Sequence, residues 1–543
     1  MTRSLTRRTL RPLLAASLLA TTVAPATVAQ TKEAGKPTIA PRVLRAHVAF
    51  LADDAVQGRG TGTWGGRVAA DYIAAQFRRL GLQPAGDSGT YFQRFTMLGR
   101  TPSPELRAVA GKDTASLRPG AEFVVAPETD DTLTQVSGDV VFGGYGVVAP
   151  NRGWDDYAGA DLTGKIVLVL PGNPDSARFD PFTGRPWSAV REKADEAARR
   201  GAVAVLVVDA GPTAIPWQAT AALTRERVGL PYTGGVKFWG WISDSAGASL
   251  LARAGQDLGR LVQQARTPGF RATPLPLRLD ATVRTALRPV PTQNVIAKLP
   301  GRGPHADEAF VVGAHYDHLG IGAPVNGDSI YNGAEDNASG TAAVLGTAEA
   351  IVRMGARPAR SLYFVAFTAE ELGLQGSDWF VRRGPIPPQK MIGAVAMDVV
   401  NLYGATRDIG TVGVDQSTLG DAVRAAARAE GLTINEDPDD LRRGRFFRSD
   451  NYAFARAGIP ALRIVNGVDF VGRPKNWGRE MRERFWNERY HRPNDQLADW
   501  MSFDGIAQQV RVLARMTLAV ADAPGRPAWA KNSDFRVIQE GAR

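Results

Sequence analysis

Only five histidines occur in the 543 residues, and two of them stand in positions typical of metal ligands. His315 and Asp317 come at the end of the apolar run AFVVGA. In an extended chain, residues two apart point to the same side, and the carboxyl ends of strands are where open α/β sheets place ligands. We therefore expect His315 to bind a metal, and Asp317 either to bind it too or to hold the imidazole.

Paired acidic residues follow in two further motifs. Glu335 and Asp336 lie in NGAEDNASG, where glycines allow a close approach of the backbone. Asp336 can bridge metal ions there, or it can cap the helix that begins near Ala338. Glu370 and Glu371 follow the apolar run SLYFVAF. Because adjacent side chains leave the backbone in different directions, one can bind a metal while the other acts as a base. Both can instead lie in the first turn of a following helix, where the helix dipole favours negative charge.

Two single residues complete the candidate set. Asp398 follows the apolar run MIGAVAM, and a buried, unpaired carboxylate is so costly that it needs a cation or several donors. His491 lies in the polar, aromatic-flanked segment FWNERYHRPNDQL. Because His, Asp or Glu stands at four successive strand ends, the sequence predicts one site for metal-assisted hydrolysis.

Alternating strands and helices must position these residues. After Thr292, apolar runs of strand length alternate with helical periodicity up to about Ala523, which predicts an α/β unit with a mostly parallel central sheet flanked by helices. Residues 121–287 differ, with short β-rich runs and one helical stretch, and indicate an inserted unit. The predicted segments are a signal peptide at 1–29, the N-terminal part of the catalytic unit at 30–120, the insert at 121–287, the main catalytic unit at 288–525 and a tail at 526–543.

The region from about 290 to 525 resembles peptidase family M28, which comprises zinc aminopeptidases and carboxypeptidases. The motifs that carry this resemblance are GAHYDHLG, GAEDNASGTAA, TAEELGLQGS, MD at 397–398, SDNYAFARAGIPAL and YHRPND. The N-terminal motif FLADDAVQGRGTGTWGG is similar to the lead-in of bacterial members. The insert resembles a protease-associated (PA) domain through FGGYGV, WDDYAGADLTGKIVLV and EKADEAARRGAVAVLVV. The resemblance implies the phosphorylase/hydrolase-like fold of zinc exopeptidases with an inserted PA domain.

The resemblance also implies two zinc ions per chain and five residues that hold them. The implied ligands are His315, Asp336, Glu371, Asp398 and His491. One ion would have His315 and Asp398, and the other would have Glu371 and His491. Asp336 would bridge the two. Each ion then has one imidazole and one carboxylate that it does not share with the other ion. These ligands suit zinc in a site without thiolates.

The resemblance also implies catalytic roles for three further residues. Asp317 would orient His315. Glu370 would take a proton from the attacking water and pass it to the leaving amine. Tyr490 matches a position where some members carry a tyrosine that stabilises the tetrahedral oxyanion. The implied substrates are peptides.

The sequence departs from the family pattern in two places, so substrate specificity stays open. Glu335 stands where many members have aspartate, and SDN at 449–451 stands where SDH is common. An aminopeptidase needs an acidic recess for the free ammonium, whereas a carboxypeptidase needs arginines such as those in LRRGRFFRSD. The resemblance favours an aminopeptidase. A carboxypeptidase of the glutamate-carboxypeptidase type, a one-zinc glutaminyl cyclase and a non-catalytic receptor on the same fold remain alternatives.

Composition excludes several other classes. The chain has no cysteine, which excludes disulfides and thiolate metal sites. Its formal charge of +10 falls to +6 without the four arginines of residues 1–29, and the remaining basic residues form no basic helix or aromatic platform. Nucleic-acid binding is therefore not expected.

The first residues indicate export. Four arginines precede an apolar run from Leu13 to Ala24, and small residues follow up to Ala29, as in a signal peptide. The run is shorter than the roughly 20 residues that a membrane span needs, so no integral membrane segment is expected. We expect a periplasmic or extracellular protein, exported by the Sec route or, given Arg7 and Arg8, the twin-arginine route. The sequence leaves the oligomeric state open.

Overall fold

The computed structural model describes residues 36–175, 178–179, 189–211, 216–437, 440, 443–536 and 539, apart from the side chains at 151, 219, 221 and 222. The predicted signal peptide at 1–29 lies outside these ranges. Of the predicted tail at 526–543, residues 537, 538 and 540–543 also lie outside them. None of the helices within the described ranges combines the length and the apolar character that a bilayer crossing requires.

Helices and strands alternate along most of the chain, and short 3₁₀ or π turns join some of them. The helices are α1 (Pro41–Leu51), α2 (Trp64–Arg79), α3 (Val190–Arg199), α4 (Trp217–Thr220), α5 (Asp244–Arg253), α6 (Leu258–Ala265), α7 (Ser339–Arg353), α8 (Gln375–Arg383), α9 (Leu419–Ala429), α10 (Asn451–Arg456), α11 (Trp477–Arg484) and α12 (Asp504–Asp522). The strands are β1 (Gln83–Pro84), β2 (Phe92–Ala110), β3 (Asp113–Leu117), β4 (Phe123–Pro127), β5 (Leu133–Phe142), β6 (Val148–Ala149), β7 (Trp154–Asp155), β8 (Ile166–Val169), β9 (Ala204–Val208), β10 (Arg227–Gly229), β11 (Phe238–Ile242), β12 (Thr273–Leu299), β13 (Ala309–His315), β14 (Gly320–Val325), β15 (Asp328–Tyr331), β16 (Ser361–Phe367), β17 (Met391–Met397), β18 (Asp408–Val412), β19 (Thr433–Asn435) and β20 (Ala461–Val465).

The central sheet of the C-terminal unit has the strand order β19-β18-β20-β17-β13-β16-β12. The four strands from β20 to β16 are parallel to one another, whereas β12 joins β16 antiparallel and β18 joins β20 antiparallel. The predicted α/β fold with a mostly parallel central sheet is therefore confirmed.

Helices cover both faces of this sheet. Phe310 and Val312 of β13 pack in the core formed with α1, α2, α7 and α12, while Val311 packs in the core formed with α8 and α10. A strand that is buried on both faces has no polar positions, which explains why its sequence is continuously apolar.

The long strand β12 joins this sheet to the sheet of the insert. Its residues Val295–Leu299 pair with β16, and its residues Arg278–Arg284 pair with β5 of the insert. The strand runs without a break through the boundary predicted near residue 287, with β2 antiparallel beside it. In the insert, the neighbouring strands β5, β8, β9 and β11 are parallel, and β4 closes the edge antiparallel to β11.

Arg59 ties the N-terminal segment to the loops that follow β13 and β15. Its side chain is fully buried. The guanidinium donates hydrogen bonds to the backbone oxygen atoms of Tyr316 at 2.7 Å, Asn332 at 2.5 Å and Gly333 at 2.9 Å, and also to that of Leu51. Burial lowers its pKa to about 10, although nearby carboxylates oppose this shift. One side chain thus fixes segments that are more than 250 residues apart in sequence.

Replacing Arg59 by methionine should lower the free energy of unfolding by at least about 3–5 kcal/mol, because each buried carbonyl left without a donor costs ~1–3 kcal/mol. Urea unfolding followed by circular dichroism measures this change. The matched control is Arg428→Met, at an exposed arginine in the last turn of α9, for which we expect a change within about 0.5 kcal/mol. Equal losses in the two variants would contradict the assigned role of Arg59.

Candidate active site

Three neighbouring strands place candidate residues at one edge of the sheet. β13 ends at His315, Asp398 directly follows β17, and Glu370 and Glu371 lie shortly beyond the end of β16. Because β13 is parallel to both β16 and β17, their carboxyl ends lie side by side. This is the edge at which open α/β sheets place their ligands.

The ring nitrogen atoms of two histidines face the oxygen atoms of three carboxylates. Nε2 of His315 lies 3.3 Å from Oδ1 of Asp336 and 3.5 Å from Oδ1 of Asp398. Nε2 of His491 lies 3.4 Å from Oδ2 of Asp336 and 3.0 Å from Oε2 of Glu371. The two oxygen atoms of Asp336 therefore face different imidazoles, as a bridging carboxylate would.

These separations suit a divalent ion. With bonds of about 2.0–2.2 Å to nitrogen and oxygen, two ligands of one tetrahedral zinc ion lie roughly 3.3–3.5 Å apart. The potential ligand atoms of His315, Asp336 and Glu371 lie within 4.8 Å of one another, and so do those of His315, Glu370 and Asp398. The donor set contains only imidazole and carboxylate, which fits the absence of cysteine.

A tight loop before α7 positions Asp336. Gly333 has a φ of +59°, and a Cβ atom there would lie 2.1 Å from the backbone oxygen of Asp336. Asn337 donates from Nδ2 to the backbone oxygen of Met397, which links this loop to the end of β17. The carboxylate of Asp495 accepts the backbone N–H groups of both Glu335 and Asp336. The loop is thus held from two sides.

Glu370 and Glu371 divide between the two halves of the site. Oε2 of Glu370 lies 3.9 Å from Nε2 of His315, whereas Glu371 contacts His491. The preceding Ala369 has a φ of +56°, a left-handed conformation that is uncommon for a residue with a side chain. The sharp turn places consecutive carboxylates beside different imidazoles.

Asp317 and Tyr490 lie beside the candidate ligands. The carboxylate of Asp317 is 3.8 Å from Nδ1 of His315, so it makes no direct hydrogen bond, whereas its backbone oxygen lies 3.1 Å from that nitrogen. Its carboxylate instead accepts the backbone N–H of Glu370 at 3.1 Å. The ring of Tyr490 stacks on that of His491, with 3.8 Å between the ring centroids. The structure thus brings all eight candidate residues to one place.

The carboxylates raise the affinity of both imidazoles for protons. Burial alone would lower the pKa of His315, but Glu370, Asp336 and Asp398 raise it well above its ordinary value. Burial also opposes protonation of His491, whose hydrogen bonds to Asp336 and Glu371 raise its pKa to about 10. The carboxylates thus favour positive charge at both imidazoles.

Other acids in the site hold their protons more tightly than usual. Burial raises the pKa of Glu370 well above its ordinary value, and Glu371 and Asp398 add to this effect. Burial also raises the pKa of Asp317 to about 6, that of Asp450 to about 7 and that of Glu335 to about 8. Burial thus disfavours the ionised form of each of these acids.

Three residues without a predicted role support the site. His318 places Nδ1 2.7 Å from Oε1 of Glu371. Arg463 lies with Nη2 3.1 Å from Oδ2 of Asp398. Asp495 accepts a hydrogen bond from Arg489 at 3.0 Å in addition to those from the Asp336 loop. The positions of His318 and Asp495 inside the motifs GAHYDHLG and YHRPND were the available signals, whereas Arg463 on β20 had none.

A cleft of about 550 Å³ leads to the site. It is lined by Glu370, Glu371 and His491 on one side and by Arg191 and Glu192 of α3 on the other. Two contacts hold α3 in this place. The hydroxyl group of Tyr452 donates to Oε1 of Glu192 at 2.7 Å, and Arg456 lies 3.6 Å from Asp195. The insert therefore forms a wall of the cleft.

Comparison with known families matches two parts of the chain. Residues 294–514 match the model of peptidase family M28, and residues 136–234 match that of the PA domain. The matched parts lie within the predicted segments 288–525 and 121–287, whose exact ends stay predictions.

Several characterised proteins are similar to this chain. Leupeptin-inactivating enzyme 1 of Streptomyces exfoliatus is 30% identical over 210 residues, which are 38% of this chain and 43% of that protein. Aminopeptidase YwaD of Bacillus subtilis is 25% identical over 382 residues, or 68% of this chain and 66% of that protein. Less than two thirds of each relative's length is thus matched. Among solved structures, the aminopeptidase from Aneurinibacillus sp. strain AM-1 is 21% identical with a TM-score of 0.46, covering 90% of this chain and 95% of that one.

The fold and the edge-of-sheet site define an α/β protein with a candidate metal centre at the carboxyl ends of its parallel strands. Residues 294–514 are similar to peptidase family M28, and residues 136–234, within the insert, are similar to a PA domain.

Zinc should raise the melting temperature of protein treated with a chelator, because a ligand that binds only the folded state stabilises it. The gain is about 2.7 kcal/mol at 100 times the dissociation constant. Differential scanning fluorimetry measures the shift. Asp336→Asn should abolish most of it, whereas Asp499→Asn, at an exposed aspartate, should retain it. An equal zinc-dependent shift in the Asp336→Asn protein would exclude Asp336 as a ligand.

Proposed function

We propose that this protein is an exported zinc exopeptidase that removes residues from the N-termini of peptides. The observation that carries the proposal is the carboxylate of Asp336 between two imidazoles, next to the carboxyl group of Glu370. The match of residues 294–514 to the model of peptidase family M28 supports the same reaction class.

Two zinc ions per chain fit the residues present. His315 and Asp398 would hold one ion, Glu371 and His491 the other, and Asp336 would bridge them. When bound, zinc supplies a Lewis acid that polarises a carbonyl oxygen and lowers the pKa of water.

The protein's own groups would handle the proton and the developing charge. The side chain of Glu370 is about 10% exposed and lines the cleft. Of the two neighbouring acids Glu370 and Glu371, Glu370 is the one that lies near a single imidazole, that of His315. It would accept the proton of the attacking water on a carboxylate oxygen and pass it to the leaving amine. The hydroxyl group of Tyr490 would donate a hydrogen bond to the oxyanion. Asp317 would hold the Glu370 loop through the backbone N–H of that residue.

The choice between the two peptide ends rests on the cleft and on the relatives. Glu192 lines the cleft, and an acidic group there favours a free ammonium group. The relatives YwaD and the AM-1 enzyme carry the name aminopeptidase. A carboxypeptidase remains the alternative because Arg448 also lines the cleft.

Replacing Glu370 by glutamine should lower kcat by about 10²–10⁴-fold, since proton transfer by a positioned side chain contributes that much. Zinc content, measured by atomic emission, should stay the same. Glu488→Gln, at an exposed glutamate in the turn before Tyr490, is the matched control and should keep the wild-type rate. Full turnover in the Glu370→Gln protein would remove Glu370 from the mechanism.

End-blocked peptides test which terminus is recognised. We expect acetylation of the N-terminus to abolish hydrolysis, because it removes the ammonium charge that an acidic cleft recognises. Amidation of the C-terminus of a long peptide, whose α-carboxylate lies far from the cleaved bond, should change the rate little. Product analysis by mass spectrometry reads both results for one peptide sequence. The opposite pattern would assign a carboxypeptidase.

A further inference from the structure

Arg448 stands between the candidate metal centre and the substrate cleft. A small recess of about 20 Å³ is lined by His315, Asp398 and Arg448 among others, and the 550 Å³ cleft is lined by Arg448 as well. The recess has room for little more than a water molecule, so a substrate side chain must lie in the cleft. Among the described residues, Arg448 is the one cationic side chain that lines both spaces.

The other arginines near the site are already paired with carboxylates. Arg463 lies 3.1 Å from Asp398, and Arg445 lies 2.7 Å from Asp440. On the far side of the cleft, Arg456 lies 3.3 Å from Asp378. These guanidinium groups have little charge left to offer a ligand.

Arg448 has no such partner. No carboxylate of the described residues lies within ion-pair distance of its guanidinium, and its one polar contact is a weak one of 3.4 Å from Nη2 to the hydroxyl oxygen of Tyr490. The side chain is exposed to the cleft. A cation without a counter-charge at the mouth of a site, with its planar fork of donors free, is suited to bind a carboxylate in two parallel hydrogen bonds.

A second donor in the recess also lacks an acceptor. Trp486 lines the same recess, and its indole N–H is shielded from solvent without a hydrogen-bond partner in the described part of the chain. The ring is held by Arg445, whose guanidinium lies 3.9 Å from the ring centroid. A buried donor without an acceptor is costly, and a single oxygen atom of the size of a water molecule would satisfy it in the recess.

We propose that Arg448, which lines the cleft at the mouth of the site, binds a carboxylate of the substrate. This inference rests on the proposed function, since it takes the ligand to be a peptide. The carboxylate has two possible sources: the side chain of an N-terminal glutamate or aspartate, or the free α-carboxylate of a very short peptide. The first source makes the enzyme selective for acidic N-terminal residues, and the second makes it selective for dipeptides.

Binding to the zinc-loaded, full-length Glu370→Gln protein tests the assignment without turnover. Isothermal titration calorimetry compares two pairs of probes that differ by one carboxylate. Glutamic acid α-amide and glutamine α-amide differ in the side chain, and leucyl-glycine and leucyl-glycinamide differ at the C-terminus. Each pair isolates one source of the carboxylate.

Adding Arg448→Gln should raise the dissociation constant of one carboxylate probe by at least tenfold while its neutral partner changes less than twofold. The affected pair identifies the source. Arg448→Lys should give an intermediate loss, because lysine keeps the charge without the fork. Arg428→Gln, at an exposed arginine of α9, is the matched control and should change neither pair.

Unchanged ratios in both probe pairs would overturn the assignment. So would equal losses for charged and neutral probes, because Arg448 would then act only by positioning Tyr490. Hydrolysis of the probes by the Glu370→Gln protein would remove Glu370 as the base, which is a failure of the proposed function alone. In that case the effect of Arg448 is measured instead from kcat/KM, as the ratio between the charged and the neutral probe of each pair.

Discussion

The buried carboxylate of Asp336 needs positive charge on both of its oxygen atoms, and much of the structure serves this need. It faces two imidazoles, one at the end of a central strand and the other in a loop more than 150 residues further along the chain. An unpaired charge in such a place is strongly destabilising, so the loops that bring the imidazoles must be held firmly. Asp495 does this by binding the backbone of the Asp336 loop from the His491 side.

The sheet supplies the rest of the site because parallel strands end together. His315 and Asp398 are placed by β13 and β17, and the regular pairing of these strands fixes their separation without any long side chain. The insert lies beside the same edge of the sheet, where its helix α3 lines the cleft opposite the candidate ligands. Since β12 belongs to both sheets and α3 is held by Tyr452, the cleft has a wall that the catalytic unit alone does not provide.

The fold and most of the candidate site followed from local sequence patterns. Apolar runs that end in His, Asp or Glu are visible in a single sequence, which is why His315, Glu370 and Asp398 could be proposed with their strands. Arg59 and Arg463 could not, because their partners are carbonyl and carboxylate groups distant in sequence, and nothing local distinguishes them from surface arginines. The continuity of β12 was also hidden, since a strand shared by two sheets has no local signal at the boundary.

Backbone conformation at the site explains a further limit of sequence patterns. Ala369, Val399 and His491 all adopt left-handed φ values between +53° and +56°, and each lies next to or at a candidate ligand. Such conformations cost free energy for residues other than glycine and persist where surrounding contacts impose them. The carboxylates raise the pKa of His315 above its ordinary value and that of His491 to about 10, so a divalent ion that binds these imidazoles must compete with protons for them.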